Sequence, residues 1–260
     1  MKEYFEELKQ EKGNPFVIAI VEAIVFFCST FGFSDYILNT IFFKKTGWVD
    51  DLNIPGSLVT AYLFPGIVNA AIYLSGGIEY DLKTLIICVI VEMLGSIVGS
   101  HLVLNLDVSK LKKLIGYAMI FSMFALLGKL IISSGVSGTA SGIHGWQFVI
   151  AIPVVFIFGL LNMMGVPMKP PLMCMFLLMG VSPLVVITLL MCMAVPGPIA
   201  GSINIFKSGR YSKRTFVIAA TVGSCAAVFG GLFALSVNTL LLTILMMIGM
   251  GIVAYNMLKK

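Results

Sequence analysis

Residues 162–206 read NMMGVPMKPPLMCMFLLMGVSPLVVITLLMCMAVPGPIAGSINIF. Nearly every residue in this stretch is apolar, yet prolines interrupt it at six positions. Inside a bilayer, an interrupted helix is tolerated only where its freed backbone is buried in protein or lines a cavity. Interrupted helices at matching places in two halves of a transporter are the best sequence indication of a substrate site. The stretch therefore predicts a site within a helical membrane protein.

The composition of the whole chain supports this class. Of the 260 residues, 59% are hydrophobic and only 11% are charged, whereas a soluble domain has roughly a quarter charged residues. The apolar segments are continuous and about twenty residues long, the length of a membrane helix, and do not alternate like barrel strands. The net charge of +5 does not indicate nucleic-acid binding, because the basic residues lie at segment ends.

No enzyme, metal site or cofactor is expected from the motifs. The chain has no Gly-rich phosphate loop, catalytic triad or HExxH motif. His144 has no partner at metal-ligand spacing. A soft-metal pathway along the 16 methionines is the weaker alternative to apolar packing. The cysteines form no C-x-x-C pair and are interpreted as unpaired thiols in apolar segments; they are Cys28, Cys88, Cys174, Cys192 and Cys225.

We predict an all-α integral membrane protein with about eight long transmembrane helices and two short interrupted or re-entrant helices, giving up to ten passes. The short pieces are residues 34–43 and 166–180. A cytoplasmic tail covers residues 1–13, a first transmembrane repeat 14–132, a flexible extracytoplasmic linker 133–145, and a second transmembrane repeat 146–260. The long segments are 15–31, 54–74, 84–104, 111–132, 146–162, 183–206, 215–235 and 240–258.

A constant shift of 133 residues aligns the two halves. It places Gly32 on Gly165 and Pro65 on Pro198, and it superimposes the two short pieces. The identity between the halves is low, so the repeat is inferred from the order of features. The alignment predicts that a helix is broken in each half, at Pro65 and at residues 196–198.

The basic residues predict the topology. If each short piece returns the chain across the membrane, each half has five passes, and all of the 17 basic residues except Lys83 and Lys129 lie on the cytoplasmic side, as the positive-inside rule requires. Five is an odd number, so the second half is inverted relative to the first. Both termini are then cytoplasmic, and the protein is a multi-pass protein of the cytoplasmic membrane.

The second half also resembles a known family. The run GLLNMMGVPMKPPLMCMFLLMGVSP at residues 159–183, a threonine-bearing helix and the FKSGRY loop that follow it resemble the sulfite exporter TauE/SafE (TSUP) family, most clearly over residues 156–231. The resemblance implies a transporter with two homologous halves that moves sulfite, sulfonates or other small sulfur-containing or organic anions. The chain departs from the family where residues 167–170 replace a glycine-rich stretch.

The candidate substrate site combines the interruptions with nearby polar side chains. Helix N-termini present free N–H groups that suit anions, glycines permit close approach of backbone, and hydroxyl and amide groups donate to anion oxygens. For each residue, kinking, close packing or an interhelical hydrogen bond is the alternative. The predicted substrate-binding residues are Gly32, Ser34, Thr60, Pro65, Asn162, Gly165, Lys169, Thr188, Pro196 and Gly197.

Two ionisable residues have alternative interpretations. Lys169 is the one cation beside an interrupted helix; it either faces inward and binds an anion or extends to the cytoplasmic face. Glu92 lies midway along its segment, so it either takes part in proton coupling or pairs with a polar neighbour. Interface placement is expected for residues nearer segment ends, namely Glu22, Asp35, His101 and Lys129.

We therefore expect a secondary transporter, an exporter, of a small anion such as sulfite or a sulfonate. One alternative is a transporter of a cation or neutral solute on the same fold, with Glu92 or Asp35 as the counter-charge. Another is a membrane assembly or sensing protein that transports nothing. The expected partners are the small anion and the lipid bilayer, without nucleic acid, and the formation of a homo-oligomer is left open.

The topology can be tested with cysteines introduced at Ser137 and Ser208 in a cysteine-depleted background. An impermeant thiol reagent added outside the cell should label the cysteine at position 137 and leave the one at position 208 unlabelled. Labelling of both positions from outside would contradict the inverted arrangement.

Overall fold

The computed structural model describes residues 11–102, 109–132, 138–163 and 166–258. Their regular structure is helical, apart from one β-bridge between Ala140 and Val181. A short 3₁₀ turn, Asp51–Asn53, precedes α3, and a π-helical turn, Ala219–Gly223, joins α10 to α11. The helices are α1 Pro15–Ser29, α2 Asp35–Thr46, α3 Ile54–Ser75, α4 Leu82–Leu102, α5 Ser109–Ile132, α6 Gln147–Met163, α7 Lys169–Leu178, α8 Pro183–Met193, α9 Pro196–Ser208, α10 Lys213–Ile218, α11 Ser224–Ser236 and α12 Thr239–Leu258.

The described helices have the length and surface of a membrane-embedded protein. Bulky apolar side chains point outward, among them Phe121, which is 76% exposed, and Phe229, which is 70% exposed. Such an apolar surface is stable in lipid and unfavourable in water. Five helical stretches are long and apolar enough to cross a membrane, namely Asp51–Ser75, Leu82–Gly99, Pro183–Ala200, Lys213–Ser236 and Thr239–Leu258. The helical membrane class is confirmed in this form, and the count of eight to ten passes stays a prediction.

The short helix α2 is defined by its capping residues. Ser34 precedes the helix, and its hydroxyl oxygen accepts a hydrogen bond from the backbone N–H of Ile37. Gly47 ends it with the left-handed backbone (φ 65°) that glycine adopts at little cost. Acidic Asp35 lies in the first turn, where a negative charge interacts favourably with the helix dipole. These signals start α2 inside the protein.

The two predicted helix breaks have different outcomes. The second-half break is confirmed, because α8 ends at Met193 and α9 begins at Pro196. The break at Pro65 is wrong, since α3 continues through this residue without interruption. Pro65 removes a single N–H donor, which bends a helix without ending it. The prolines at 196 and 198 remove two donors, and proline suits the first turn of a new helix.

Glycines bring two pairs of helices into backbone contact. On α4, a Cβ atom at Gly95 or Gly99 would overlap the carbonyl group of Phe156 or Leu160 on α6. A Cβ atom at Gly230 of α11 would lie 2.9 Å from the carbonyl oxygen of Phe27 on α1. Small residues that allow such close approach are typical of helix contacts in membranes.

Part of the predicted flexible linker is packed against the turn between α7 and α8. The backbone N–H of Ala140 donates to the carbonyl of Gly180 at 3.1 Å, and Ser182 donates back to Ala140 at 2.9 Å. Backbone hydrogen bonds thus anchor Ala140, and the flexibility of the linker stays a prediction. Residues 133–137 lie outside the described residues.

The same segment also contacts the start of α4. The N–H of Asp81 donates to the carbonyl of Ser141 at 2.8 Å, and the N–H of Ile143 donates to the Thr84 hydroxyl oxygen at 3.1 Å. The Thr84 hydroxyl and backbone N–H in turn donate to the Asp81 carboxylate. These bonds hold the pKa of the Asp81 carboxyl below its usual value. The segment thus connects the start of α4 with the turn after α7.

The close contact of α4 with α6 can be tested by Gly95→Ala, with Gly128→Ala as the matched control. Both changes gain roughly 1 kcal/mol of helix propensity, and a Cβ at Gly128 meets no atom of the described residues within 4 Å. At Gly95 the added methyl overlaps the Phe156 carbonyl, at a typical overpacking cost of roughly 1–3 kcal/mol. Thermal unfolding in detergent should therefore show Gly95→Ala less stable than Gly128→Ala. Equal midpoints would contradict the close contact.

Candidate functional site

The short helices α2 and α7 both begin at one small cavity in the middle of the protein. Its volume of about 10 Å³ leaves room for roughly one water molecule. The helix α9 also begins beside it, α3 contributes Tyr62 from its middle, and α6 contributes Asn162 from its last turn. The lining residues are Ser34, Asp35, Tyr36, Tyr62, Asn162, Pro167, Met168, Lys169, Ala194 and Pro198.

A buried ion pair closes this cavity. The ammonium nitrogen of Lys169 lies 2.7 Å from Oδ1 of Asp35, and the two residues are only 6% and 3% exposed. Lys169 also donates to the Ser29 hydroxyl oxygen at 3.1 Å, and that hydroxyl donates to Oδ1 of Asp35 at 3.2 Å. The ammonium lies 4.1 Å from the centre of the Tyr62 ring, a cation–π contact. Helices α1, α2, α3 and α7 thus meet at one charge.

Asp35 and Lys169 interact differently with the dipoles of the helices that they begin. Asp35 lies at the N-terminus of α2, where a carboxylate is stabilised by the helix dipole. Lys169 is the first residue of α7, where the same dipole opposes a positive charge. Pro170 and Pro171 follow it and provide no N–H donors. The start of α7 is therefore positive, and the Asp35 carboxylate supplies the anion that it requires.

Lys169 faces inward, as one of its two interpretations predicted. Its extension to the cytoplasmic face is wrong, and so is interface placement for Asp35 and for Glu22, which is 0% exposed. For Asp35 the physical reason is that α2 starts in the interior. Glu22 lies in the middle of α1, on the buried face of that helix. The side chains of His101 and Lys129 lie outside the described residues.

Some of the other predicted site residues lie at the cavity, and some do not. Ser34, Asn162 and Lys169 line the cavity together. Pro196 and Gly197 begin α9 next to the lining residue Pro198, which also belongs to the interruption.

Gly32 has a positive φ of 87°, and a side chain there would collide with Met173 of α7. This glycine therefore lets the turn before α2 pack against α7, next to the cavity.

Of the remaining predicted residues, Thr60, Pro65 and Thr188 neither line the described cavity nor adjoin a lining residue at an interruption. The hydroxyl of Thr60 donates to the carbonyl of Gly56 in its own helix, at 2.9 Å. The hydroxyl of Thr188 likewise donates to Leu184 at 2.8 Å, and Pro65 lies inside α3. For these hydroxyls the nearby backbone carbonyl is the available acceptor, a common arrangement in apolar helices. Gly165 lies outside the described residues.

Sequence reasoning missed Ser29, Tyr36 and Tyr62 as parts of the site. One sequence signal could have identified Asp35. The 133-residue shift aligns Tyr36 with Lys169, so Asp35, the residue before Tyr36, is one position away from the aligned lysine. Tyr62 carries no such signal, because it lies in an ordinary apolar run.

Glu92 forms a second buried polar group, where α4 meets α6 and α9. Its Oε1 lies 2.7 Å from the Ser96 hydroxyl oxygen, which also lies 3.1 Å from the carbonyl oxygen of Gly159. Its Oε2 has no hydrogen-bond partner among the described residues. One hydroxyl hydrogen serves two acceptors only as a weaker, bifurcated hydrogen bond. A proton on Glu92 would let the carboxyl donate to Ser96 and Ser96 donate to Gly159.

Comparison with protein-family models, curated proteins and solved structures gives no match to this chain. The function is therefore argued from the geometry and charge of the site.

The ion pair can be tested by removing one partner. Lys169→Met leaves the Asp35 carboxylate buried without its cation, and breaking a buried pair in this way costs about 3–5 kcal/mol. We expect a large fall in the midpoint of thermal unfolding. The double variant Lys169→Met with Asp35→Leu replaces the pair by apolar groups and should recover most of this loss.

The matched control is the exposed pair of Lys12 and Asp50, at 3.3 Å with side chains 72% and 69% exposed. Lys12→Met should cost less than about 1 kcal/mol, because water screens surface charges. A Lys169→Met variant as stable as Lys12→Met would show that the buried pair does not form.

Proposed function

We propose that the chain is a secondary transporter that exports a small sulfur-containing or organic anion, such as sulfite or a sulfonate, across the cytoplasmic membrane. The observation that carries this proposal is the buried ammonium of Lys169 at the start of α7, neutralised by Asp35 beside a small cavity. An ionisable group deep in a membrane protein is costly and is by default a functional hypothesis. The sequence resemblance of residues 156–231 to the TauE/SafE family points to the same substrate class.

We propose an inverted repeat with five passes in each half. Its support is the reciprocal packing of the helices. The fourth helix of the first half, α4, packs on the first helix of the second half, α6, while α11 packs on α1. The last helices of the two halves, α5 and α12, pack on each other. The carbonyl groups of Phe27 and Leu160 face the glycines of α11 and α4. These two residues are 133 positions apart, which is the shift that aligns the two halves.

In this proposal Asp35 is an internal substitute for the substrate. A single ammonium group neutralises one negative charge, and in a region of low dielectric an uncompensated charge is costly. A substrate anion that reaches Lys169 therefore replaces the carboxylate of Asp35. Ser34 and Asn162, which line the same cavity, can donate hydrogen bonds to the oxygens of the anion.

Substrate access requires movement of the helices. A cavity of about 10 Å³ is too small for a sulfonate, so the site must enlarge before such an anion can bind. Movement of the helices around a fixed central site is the usual basis of alternating access.

Proton coupling is proposed for Glu92. The contact of Ser96 with both Glu92 and Gly159 is best satisfied when the carboxyl carries a proton. Gly197, at the start of α9, lies against the same group, since a Cβ there would be 3.0 Å from Oε1 of Glu92. Movement of α9 during transport would therefore change the surroundings of this carboxyl.

The charge of Asp35 separates the anion hypothesis from the cation alternative. Asp35→Asn removes the internal anion while Lys169 keeps its charge, so an external anion should bind more tightly. The affinity should rise about tenfold or more, which is about 1.4 kcal/mol. If the substrate were a cation held by Asp35, the same variant should lose binding.

The measurement uses purified protein in detergent and in proteoliposomes. Sulfite, a sulfonate, ammonium and a divalent metal ion are each tested for thermal stabilisation and for flux, with Lys12→Met as the control. The proposal expects sulfite or the sulfonate to stabilise Asp35→Asn more than the parent. Loss of anion binding in this variant would contradict the substitution mechanism. A stably folded parent protein without flux of any of these solutes would favour a non-transporting role.

A further inference from the structure

A second buried carboxyl group, Glu22 on α1, lies close to the ion pair. It is 0% exposed, and its partner Asn39 on α2 is 2% exposed. The side-chain amide nitrogen of Asn39 donates to Oε2 of Glu22 at 3.3 Å. Asn39 lies one helical turn beyond Asp35, so the same short helix holds both the ion pair and this contact.

The contact between Glu22 and Asn39 lacks one hydrogen-bond donor. Oε1 of Glu22 and Oδ1 of Asn39 both lack a partner among the described residues. An ionised carboxylate has only acceptors, and an amide oxygen is also an acceptor. Turning the amide over does not help, because it would place the amide oxygen where the nitrogen now lies, against Oε2, and two acceptors would then face each other. Buried acceptors without donors are costly.

We infer that Glu22 and Asn39 form a proton-binding site, in which the protonated carboxyl of Glu22 donates to the amide oxygen of Asn39. A single hydrogen on Oε1 turns this oxygen into a donor. The pair then has two hydrogen bonds, one in each direction, and both unpartnered oxygens are satisfied. The proton of the carboxyl group is the ligand, and no other molecule is required.

The charges around Glu22 agree with this inference. Helices α2, α10, α11 and the π-helical turn pack on α1, and Tyr62 of α3 and Lys169 of α7 also contact it, through Phe26 and Ser29. On α2, Asp35 lies one turn from Asn39, and its negative charge opposes ionisation of Glu22. Lys169 pairs with Asp35 and offsets part of that charge. Arg214 on α10 binds the carbonyl of Gly13, before the start of α1. The other titratable groups on α2, α10, α11 and the π-helical turn are Tyr36, Lys44, Lys45, Lys213 and Cys225.

The site has a direct connection to the proposed transport cycle, and this connection, unlike the proton site itself, rests on the proposed function. Asp35 and Asn39, the partner of Glu22, lie one turn apart on one helix. When a substrate anion takes Lys169, the Asp35 carboxylate loses its cation. A protonated, neutral Glu22 then adds no second negative charge beside it, whereas an ionised Glu22 would. Anion binding is therefore favoured while Glu22 holds its proton, which couples proton binding to anion binding.

Infrared spectroscopy of the purified protein tests the proton site without any transport assay. A buried protonated carboxyl gives a C=O stretching band that an ionised carboxylate lacks. Glu22→Gln replaces the O–H donor by an N–H donor of nearly the same shape, so the amide pair remains satisfied and the variant should fold. At neutral pH the parent should show a band component from the protonated Glu22 carboxyl. Glu22→Gln should lack this component, and the matched variant Glu92→Gln should retain it. An identical band in the parent and Glu22→Gln would overturn the inference.

A second variant tests the role of Asn39. Asn39→Leu removes the amide that donates to Oε2 and accepts from Oε1, so the Glu22 component should move to the higher frequency of a carboxyl without hydrogen bonds. The protonated component itself should remain, because an unpaired buried carboxylate is still more costly. A component unchanged in frequency would show that Asn39 is not the partner, which would overturn the proposed pair.

Flux measurements separate the two proposals. If the parent moves no anion while the Glu22 component is present, the proposed transport fails and the proton site stands. If the parent moves anions under a pH gradient, Glu22→Gln should lose the stimulation by the gradient and keep anion exchange without one. Full stimulation in this variant would overturn the coupling of Glu22 to transport.

Discussion

The contact between Lys169 and Asp35 is the interaction on which the centre of this protein depends. It joins α2 to α7 at the point where both begin, and Ser29 and Tyr62 bring α1 and α3 to the same charge. Both residues are almost fully buried, so each charge is tolerable only because of the other. The small cavity, the cap at Ser34 and the close turn at Gly32 all lie beside this pair.

Apolar residues could fill the same space at equal or better stability, so stability alone does not explain a buried ion pair. The buried carboxyls Glu22 and Glu92 add to this cost, each with one oxygen unpartnered among the described residues. Among the described residues, the buried charged groups are the acids Glu22, Asp35 and Glu92 and the bases Lys169 and Arg214. An ionisable group buried in a membrane protein is by default a functional hypothesis, and this concentration of such groups is the basis of the proposed transport.

Much of the fold could be predicted from the sequence, because apolar length and proline position act locally. The start of α1 at Pro15, of α8 at Pro183 and of α9 at Pro196 follow from these signals. Of the site, Ser34, Asn162 and Lys169 were predictable as polar groups beside interruptions. The pairing of Lys169 with Asp35, 134 positions away, was not assigned, because the only sequence signal was the 133-residue shift, which aligns Tyr36 with Lys169. The unbroken course of α3 through Pro65 was missed because a single proline removes only one N–H donor and need not end a helix.

The glycine contacts between α4 and α6 have a mechanical consequence. These two helices belong to different halves of the sequence, yet their backbones touch without intervening side chains, as those of α1 and α11 do. Backbone contacts this close favour movement of each helix pair as one body. A rigid unit that contains α4 and α6 takes its helices from both halves of the sequence, so its boundary does not coincide with the midpoint of the chain.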